Sequence, residues 1–139
     1  MRIFKTMLIR EGDSKKEKIT NAADVFELLK DEMRAEAQEV MKVMCLNTRN
    51  EVIGITEVSR GTVSSSLIHP REIFRTAILS NATSIIMVHN HPSGDPKPSD
   101  DDISITRKLT KASEIIMIEI LDHVIIGEKY YSFKEEDDM

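Results

Sequence analysis

The run from His89 to Asp102, HNHPSGDPKPSDDD, holds the side chains of this chain best suited to chemistry. Two histidines stand two residues apart, a proline and a turn-rich loop follow, and Ser99 precedes Asp102 by three residues. Alternate side chains of a strand share a face, so His89 and His91 point one way and Asn90 the other. Two imidazoles on one face are half of a zinc site. Asp102, in the first turn of a following helix, can add a third ligand while facing the positive end of the helix dipole. Three protein ligands leave one position for water, the pattern of a catalytic site. Zinc lowers the pKa of such a water to roughly 7 and polarises a carbonyl. A metal-dependent hydrolase is the leading expectation. Each part also has a plainer reading. H-x-H alone is a weak signal, Ser99 with Asp102 reads equally as a helix cap with its capping-box partner, and the prolines shape a turn. Their combination in one short run favours the metal.

The elements around this run must place it. Ser84 to His91 reads as the strand that carries the histidines. Pro92 to Pro98 is a stiffened turn, and Ser99 begins a helix to about residue 113. Upstream, residues 1–10 read as a short strand and 11–18 as a polar connector. Thr20 or Asn21 caps a helix to about residue 38, with Val25, Leu28, Leu29 and Met33 on one face. Val40 to Leu46 and Glu51 to Ser59 form a hairpin about the turn Asn47 to Asn50. Gly61 is a break, and Thr62 to Ile68 is β-prone. Pro70 opens a helix over 70–80 whose buried face is Ile73, Phe74, Ala77 and Ile78. Ile115 to Leu121, His123 to Ile126 and Tyr130 to Phe133 read as three final strands. Residues 135–139 form a frayed acidic tail. The whole is an α/β domain, a mixed and mostly antiparallel sheet flanked by helices.

Bulk properties narrow the classes. The 139 residues suit one domain, and 40% apolar content suits a globular one. A net charge of −5 argues against a protein that coats nucleic acid by charge alone. The single cysteine, Cys45, excludes an internal disulfide and a Cys-rich zinc site, and reads as a buried strand thiol. No stretch approaches the ~20 apolar residues of a membrane span, and the N-terminal apolar run is too interrupted for a signal peptide. The expectation is a soluble cytoplasmic protein.

The pattern H-x-H-P-x6-S-x2-D resembles the JAMM (MPN+) metalloprotease motif, and the RadC branch most closely. His89 to Asp95 (HNHPSGD), His69 to Ile73 (HPREI), Arg60-Gly61-Thr62 and Leu121 to Gly127 (LDHVIIG) carry the resemblance over about residues 20–134. It implies a single JAB/MPN-type domain, similar in outline to the cytidine deaminases. Residues 1–19 would precede it, and it would stand without the helix-hairpin-helix segment of longer RadC proteins. It implies one zinc per chain, held by His89, His91 and Asp102, with Ser99 stabilising a tetrahedral intermediate. It also requires an upstream glutamate as general base and acid. Glu39, just before Val40, is favoured over Glu57 in the second strand of the hairpin. The implied reaction is hydrolysis of a peptide or isopeptide bond by a zinc-activated water in an unidentified protein or peptide substrate. Lys42 replaces a small residue of many eukaryotic members, so a different approach to the site is expected. His123 either supports the metal site or is a satisfied structural histidine, the reading preferred here. His69 reads as a loop or helix-entry residue, and Glu72 as a dipole partner.

Three rivals are weighed against this. The RadC name carries a DNA-repair association, so a DNA-binding protein without proteolytic activity is the alternative. Kinship with HNH nucleases is a coincidence of letters, since those residues are spread over a ββα unit. A zinc deaminase needs H-x-E with P-C-x-x-C, which Cys45 alone cannot supply. A scaffold that has lost its metal ligands conflicts with the complete ligand set.

Overall fold

In the computed structural model, which describes residues 1–9, 11–12 and 16–139, three helices and a five-stranded sheet are built around the histidine strand. Helix α1, Ala22–Arg34, starts where the Asn21 side chain accepts the Asp24 N–H at 3.0 Å. Ala22, Val25, Leu29 and Met33 form its buried stripe. Leu28, expected in that stripe, is 40% exposed, because it sits a further 100° around the helix from Leu29. The helix also stops four residues short of the expected end. The chain there turns into the sheet, and tertiary bonds claim the backbone: the Gln38 carbonyl accepts from the Asn90 amide at 3.1 Å.

Strand β1, Val40–Leu46, is buried throughout and forms the expected hairpin with β2, Val52–Arg60. Helix α2, Pro70–Leu79, buries Ile73, Phe74 and Ala77. Ile78, assigned to that face from sequence, is 56% exposed. Strand β3, Ser84–Asn90, carries His89, and His91 lies one residue past its end. Helix α3 spans Asp100–Ile116, β4 spans Glu119–Ile126 and β5 spans Tyr130–Ser132. The strand order is β2-β1-β3-β4-β5, with only the β3–β4 pair parallel. The expected mixed, mostly antiparallel sheet is therefore present. Helix α3 is the crossover that a parallel β3–β4 pair requires.

Alternating side chains divide the core between the two faces of the sheet. Met41, Val43, Cys45, Ile85 and Met87 pack with α2 and α3, whereas Met44, Leu46, Ile86, Val88 and Val124 pack with α1. Each fully buried Ile, Leu, Met or Phe contributes about 1.5–3 kcal/mol.

Five further expectations change. Residues 1–9 form no strand, and Arg10 lies outside the described residues. Of the expected connector, residues 13–15 also lie outside, and its far end bonds to the hairpin, Val52 N–H donating to the Glu17 carbonyl at 2.7 Å. The segment 62–68 is a loop, not a strand, because Lys108 of α3 donates to the Ser65 and Ile68 carbonyls at 2.6 Å each. Ile115 and Ile116 extend α3 instead of starting a strand. The helix stops at Met117, in the left-handed region at φ 63°, and one strand, β4, replaces the two expected there. The acidic tail is exposed but hydrogen-bonded: Asp138 N–H donates to the Phe133 carbonyl at 2.8 Å, and Tyr131 donates to the Asp138 carboxylate.

Candidate metal centre

Three elements end at one point on the α2/α3 face of the sheet. His89 is the penultimate residue of β3, His91 follows the strand, and Asp102 lies in the first turn of α3. The backbone holds His91 in line, since its N–H donates to the Ile126 carbonyl at 2.9 Å and so extends the β3–β4 pairing. Ser99 caps α3. Its hydroxyl accepts the Asp102 N–H at 3.1 Å, and the Asp102 carboxylate accepts the Ser99 N–H at 2.9 Å. This reciprocal capping box fixes the carboxylate's orientation and leaves the Ser99 hydroxyl proton free to donate. His89 and Asp102 are buried, and the His91 side chain is 13% exposed, so the centre opens to solvent on the His91 side.

The donor atoms converge, each histidine facing its own oxygen of the Asp102 carboxylate. His89 Nε2 and His91 Nε2 are 3.2 Å apart, His91 Nε2 and Asp102 Oδ2 are 3.1 Å apart, and His89 Nε2 and Asp102 Oδ1 are 3.2 Å apart. Donors about 2.0–2.1 Å from a tetrahedral ion lie about 3.3 Å from one another. The three spacings are close to those between donors around zinc. Proton bookkeeping points the same way. His91 Nδ1 lies 2.8 Å from the Asp95 carbonyl, which can only accept, so that nitrogen carries the proton and Nε2 of the neutral ring is bare. A lone pair and a carboxylate then face each other with no donor between them, an arrangement that a cation satisfies. Among the described residues, His89, His91 and Asp102 form a group able to hold a metal ion.

The electrostatics agree. When His91 takes a second proton, on Nε2, its hydrogen bond to Asp102 is the main influence raising it above the ordinary imidazole pKa; burial opposes it, and the Asp95 carbonyl and the charges of Asp102 and Glu39 add to it. Burial pushes the Asp102 carboxyl up, but the hydrogen bonds it makes with His89 and His91 when those rings are protonated outweigh it and hold the group well below the carboxylate range. Both shifts mark a centre that prefers positive charge opposite a fixed carboxylate.

The two candidate glutamates part company here. Met41 is the register partner of His89, so continuing that antiparallel register by two residues sets half-buried Glu39 against His91. Its carboxylate accepts the Val63 N–H at 2.9 Å, and its carbonyl accepts the Gly61 N–H at 2.8 Å. Gly61 stands at φ +107°, a conformation glycine supplies at least cost. Glu57 instead partners Lys42 in the β1–β2 register, which puts both on the opposite, α1 face. There Glu57 pairs with Arg60 at 2.7 Å, and Lys42 pairs with Glu32. Lys42 thus does not line the approach to the centre, as the resemblance had implied.

Several supporting residues escaped the sequence reading. Asn90, read only as pointing away, accepts the Val40 N–H at 2.7 Å while donating to the Gln38 carbonyl. Its amide thereby brackets Glu39 on both sides. A buried amide between two candidate ligands was the signal, because such a group must find partners. His123, for which a supporting role was one of the two sequence readings, has both nitrogens satisfied and touches a candidate ligand: its Nε2 lies 2.7 Å from His89 Nδ1, and its Nδ1 lies 2.7 Å from Thr106 Oγ1. Burial drives its pKa well below the usual value and keeps it neutral. The two glycines of the resembling motifs also meet. A Cβ on Gly127 would stand 2.2 Å from the Gly94 carbonyl oxygen, so only glycine lets the β4–β5 turn clamp the loop after His91.

Comparison with known proteins adds an independent line. A family model described as "RadC-like JAB domain" matches residues 19–138. A "UPF0758 protein" of Clostridium beijerinckii is 48% identical over 133 residues, covering 95% of this chain and 57% of that protein. Others from Desulfitobacterium hafniense (49% over 118 residues, 84% of this chain and 52% of the relative) and Moorella thermoacetica (51% over 120 residues, 86% and 52%) are similar to it. The chain spans about half the length of the curated relatives it matches. No helix of the described residues is long and apolar enough to cross a membrane.

Proposed function

Taking as premise that the chain belongs to the RadC-like JAB domain family, we propose that it is a zinc-dependent hydrolase of peptide or isopeptide bonds. The observation that carries this reading is the convergence of the His89 and His91 Nε2 atoms and the Asp102 carboxylate at 3.1–3.2 Å. Two neutral imidazoles and one carboxylate are the donor set of catalytic zinc sites that keep a fourth position for solvent. Zinc held there supplies Lewis acidity, acidifying a water and polarising the scissile carbonyl.

The rest falls to the chain's own residues. Glu39 is fixed by the Val63 and Gly61 N–H groups and by the Asn90 bracket, on the open His91 side. It takes the proton of the attacking water on its carboxylate and delivers it to the leaving amine. Holding the carboxylate in place before substrate arrives removes the entropy cost of assembling the reactants. Ser99, exposed at the cap of α3, turns its free hydroxyl proton toward the carbonyl oxygen as negative charge develops there. The substrate is a protein or peptide that brings its amide over the His91 side.

The test is cleavage of a mixed peptide library and a lysine-linked isopeptide by the zinc-loaded chain, read by mass spectrometry. Cleavage is expected and should stop with a chelator. Glu39→Gln should lower turnover by about 10²–10⁴-fold with zinc binding retained, while Glu57→Gln stays within about twofold, as expected of a charge outside the site. No cleavage of either probe, or full activity in Glu39→Gln, would overturn the reading.

A further inference from the structure

Inside the fold, behind the three donor atoms, lies a buried chain of hydrogen bonds that the mechanism above does not use. His89 Nδ1 is 2.7 Å from His123 Nε2, His123 Nδ1 is 2.7 Å from Thr106 Oγ1, and Thr106 Oγ1 is 2.8 Å from the Asp102 carbonyl. We propose that His123 and Thr106 are positioning residues that fix the tautomer of His89, keeping its proton on Nδ1 and its Nε2 bare for the metal. The proposal rests on the metal-site reading above and adds the device that readies one ligand.

The direction of the chain follows from its end. A carbonyl oxygen can only accept, so the single hydroxyl proton of Thr106 goes to Asp102. The Thr106 oxygen must then accept from His123, which places the His123 proton on Nδ1. In the neutral ring Nε2 is left as an acceptor, so His89 donates to it from Nδ1. The bare His89 Nε2 consequently faces His91 Nε2 and the Asp102 carboxylate. With the chain reversed, His123 would donate from Nε2, and neutral His89 would carry its proton on Nε2, in the position a metal must take.

The surroundings hold the rings in this plane. His123 stacks on Phe133, with ring centroids 4.8 Å apart and planes 5° from parallel. His89, His123 and Phe133 are fully buried and Thr106 nearly so, which leaves no water to replace either bond. Thr106 stands four residues after Asp102, one turn along the same helical face. Asp102 thus enters the centre twice, its carboxylate toward the metal and its carbonyl at the end of the relay. The relay couples the ligand on β3 to the helix that carries the other ligand, through a side chain of β4. Partners of this kind typically change metal affinity by about 10–100-fold.

Three variants of the full chain separate the relay from mere packing. His123→Phe keeps an aromatic ring against Phe133 but removes the acceptor. His123→Gln keeps an oxygen able to accept from His89 Nδ1–H. Thr106→Val removes the far anchor. Long-range nitrogen–proton NMR of the zinc-free chain reads the His89 tautomer, and chelator competition reads zinc affinity. The wild type should show His89 protonated on Nδ1. His123→Phe should move protonation toward Nε2 and weaken zinc by about 10–100-fold. His123→Gln should recover most of both, and Thr106→Val should fall between. If His123→Phe does not fold, Gln against Val makes the same comparison. A wild-type proton on Nε2, or variants with unchanged tautomer and affinity, would overturn the relay. A wild-type chain with the stated tautomer that binds no zinc would overturn the hydrolase reading and leave the tautomer assignment standing.

Discussion

On the α1 face of the sheet, charges meet opposite charges. Lys42 pairs with Glu32, and Arg60 pairs with both Glu36 and Glu57 at 2.7 Å. Glu36 first and Glu57 second raise the Arg60 guanidinium above its usual value, and Arg60 lowers Glu36 in turn. These groups satisfy one another at the surface, where water screens them and the net effect is small. On the α2/α3 face, two imidazole nitrogens and a carboxylate converge at 3.1–3.2 Å. The supporting bonds on that side run outward, from His89 to His123, from His91 to the Asp95 carbonyl and from Asp102 to the Ser99 N–H. One set of charges pairs off within itself, and the other gathers the donor atoms of a group able to hold a metal ion. That contrast is the physical difference between a charged surface and a site.

The comparison breaks most visibly at Gly127. Gly127→Ala would drive a Cβ into the Gly94 carbonyl and push away the loop that holds His91. It should lower stability by about 1–3 kcal/mol, seen as a fall of several degrees in Tm, and weaken zinc binding in chelator competition. An unchanged zinc affinity would show that the loop clamp does not shape the site. Next in size is Asn90→Ala, which leaves the buried Val40 N–H without its partner. A cost of about 1–3 kcal/mol is expected, with turnover reduced more than zinc affinity because the amide brackets Glu39. Denaturant unfolding and paired kinetic and binding assays would read the two effects.

Proton competition sharpens the comparison at moderate size. The pKa of His91 is raised in the fold. Its pair with Asp102 therefore stabilises the zinc-free chain fully below the unfolded value of about 6.5, and that stability is lost as pH rises through the higher folded pKa. Zinc must displace the same proton. The zinc-induced rise in Tm should consequently grow as pH increases across that window and level off above it. Thermal melts with and without zinc at a series of pH values would show this; a rise that is flat or falls with pH would contradict it. The smallest effect is expected from Arg60→Ala, which breaks the pairs with Glu36 and Glu57 on the other face. Zinc affinity and turnover should both stay within about twofold, as for an exposed pair outside the site.

Much of the site was readable because it is local. The H-x-H pair, Ser99 and Asp102 lie within one strand–loop–helix unit, where alternation and capping rules act over a few residues. What supports them is not local. His123 is 34 residues from His89, and Asn90 is 50 from Val40, distances in sequence that only the sheet register closes. The same holds for the fold. Helix starts at Asn21, Pro70 and Ser99 followed from caps and from proline at the first turn. The end of α1 at Arg34 and the loop at 62–68 did not, because the Asn90 amide and Lys108 impose them from elsewhere. Ile115 and Ile116 misled for a related reason, since an apolar run carries no sign of whether a helix has already ended.

The most direct test of the account is metal content after zinc loading and exhaustive dialysis of the purified chain, measured by elemental mass spectrometry for wild type and Asp102→Asn. The account predicts about one zinc per chain in the wild type, from the three-donor site, and little or none in the variant while circular dichroism shows both folded. A wild-type chain that holds no zinc, or a variant that holds as much, would contradict it.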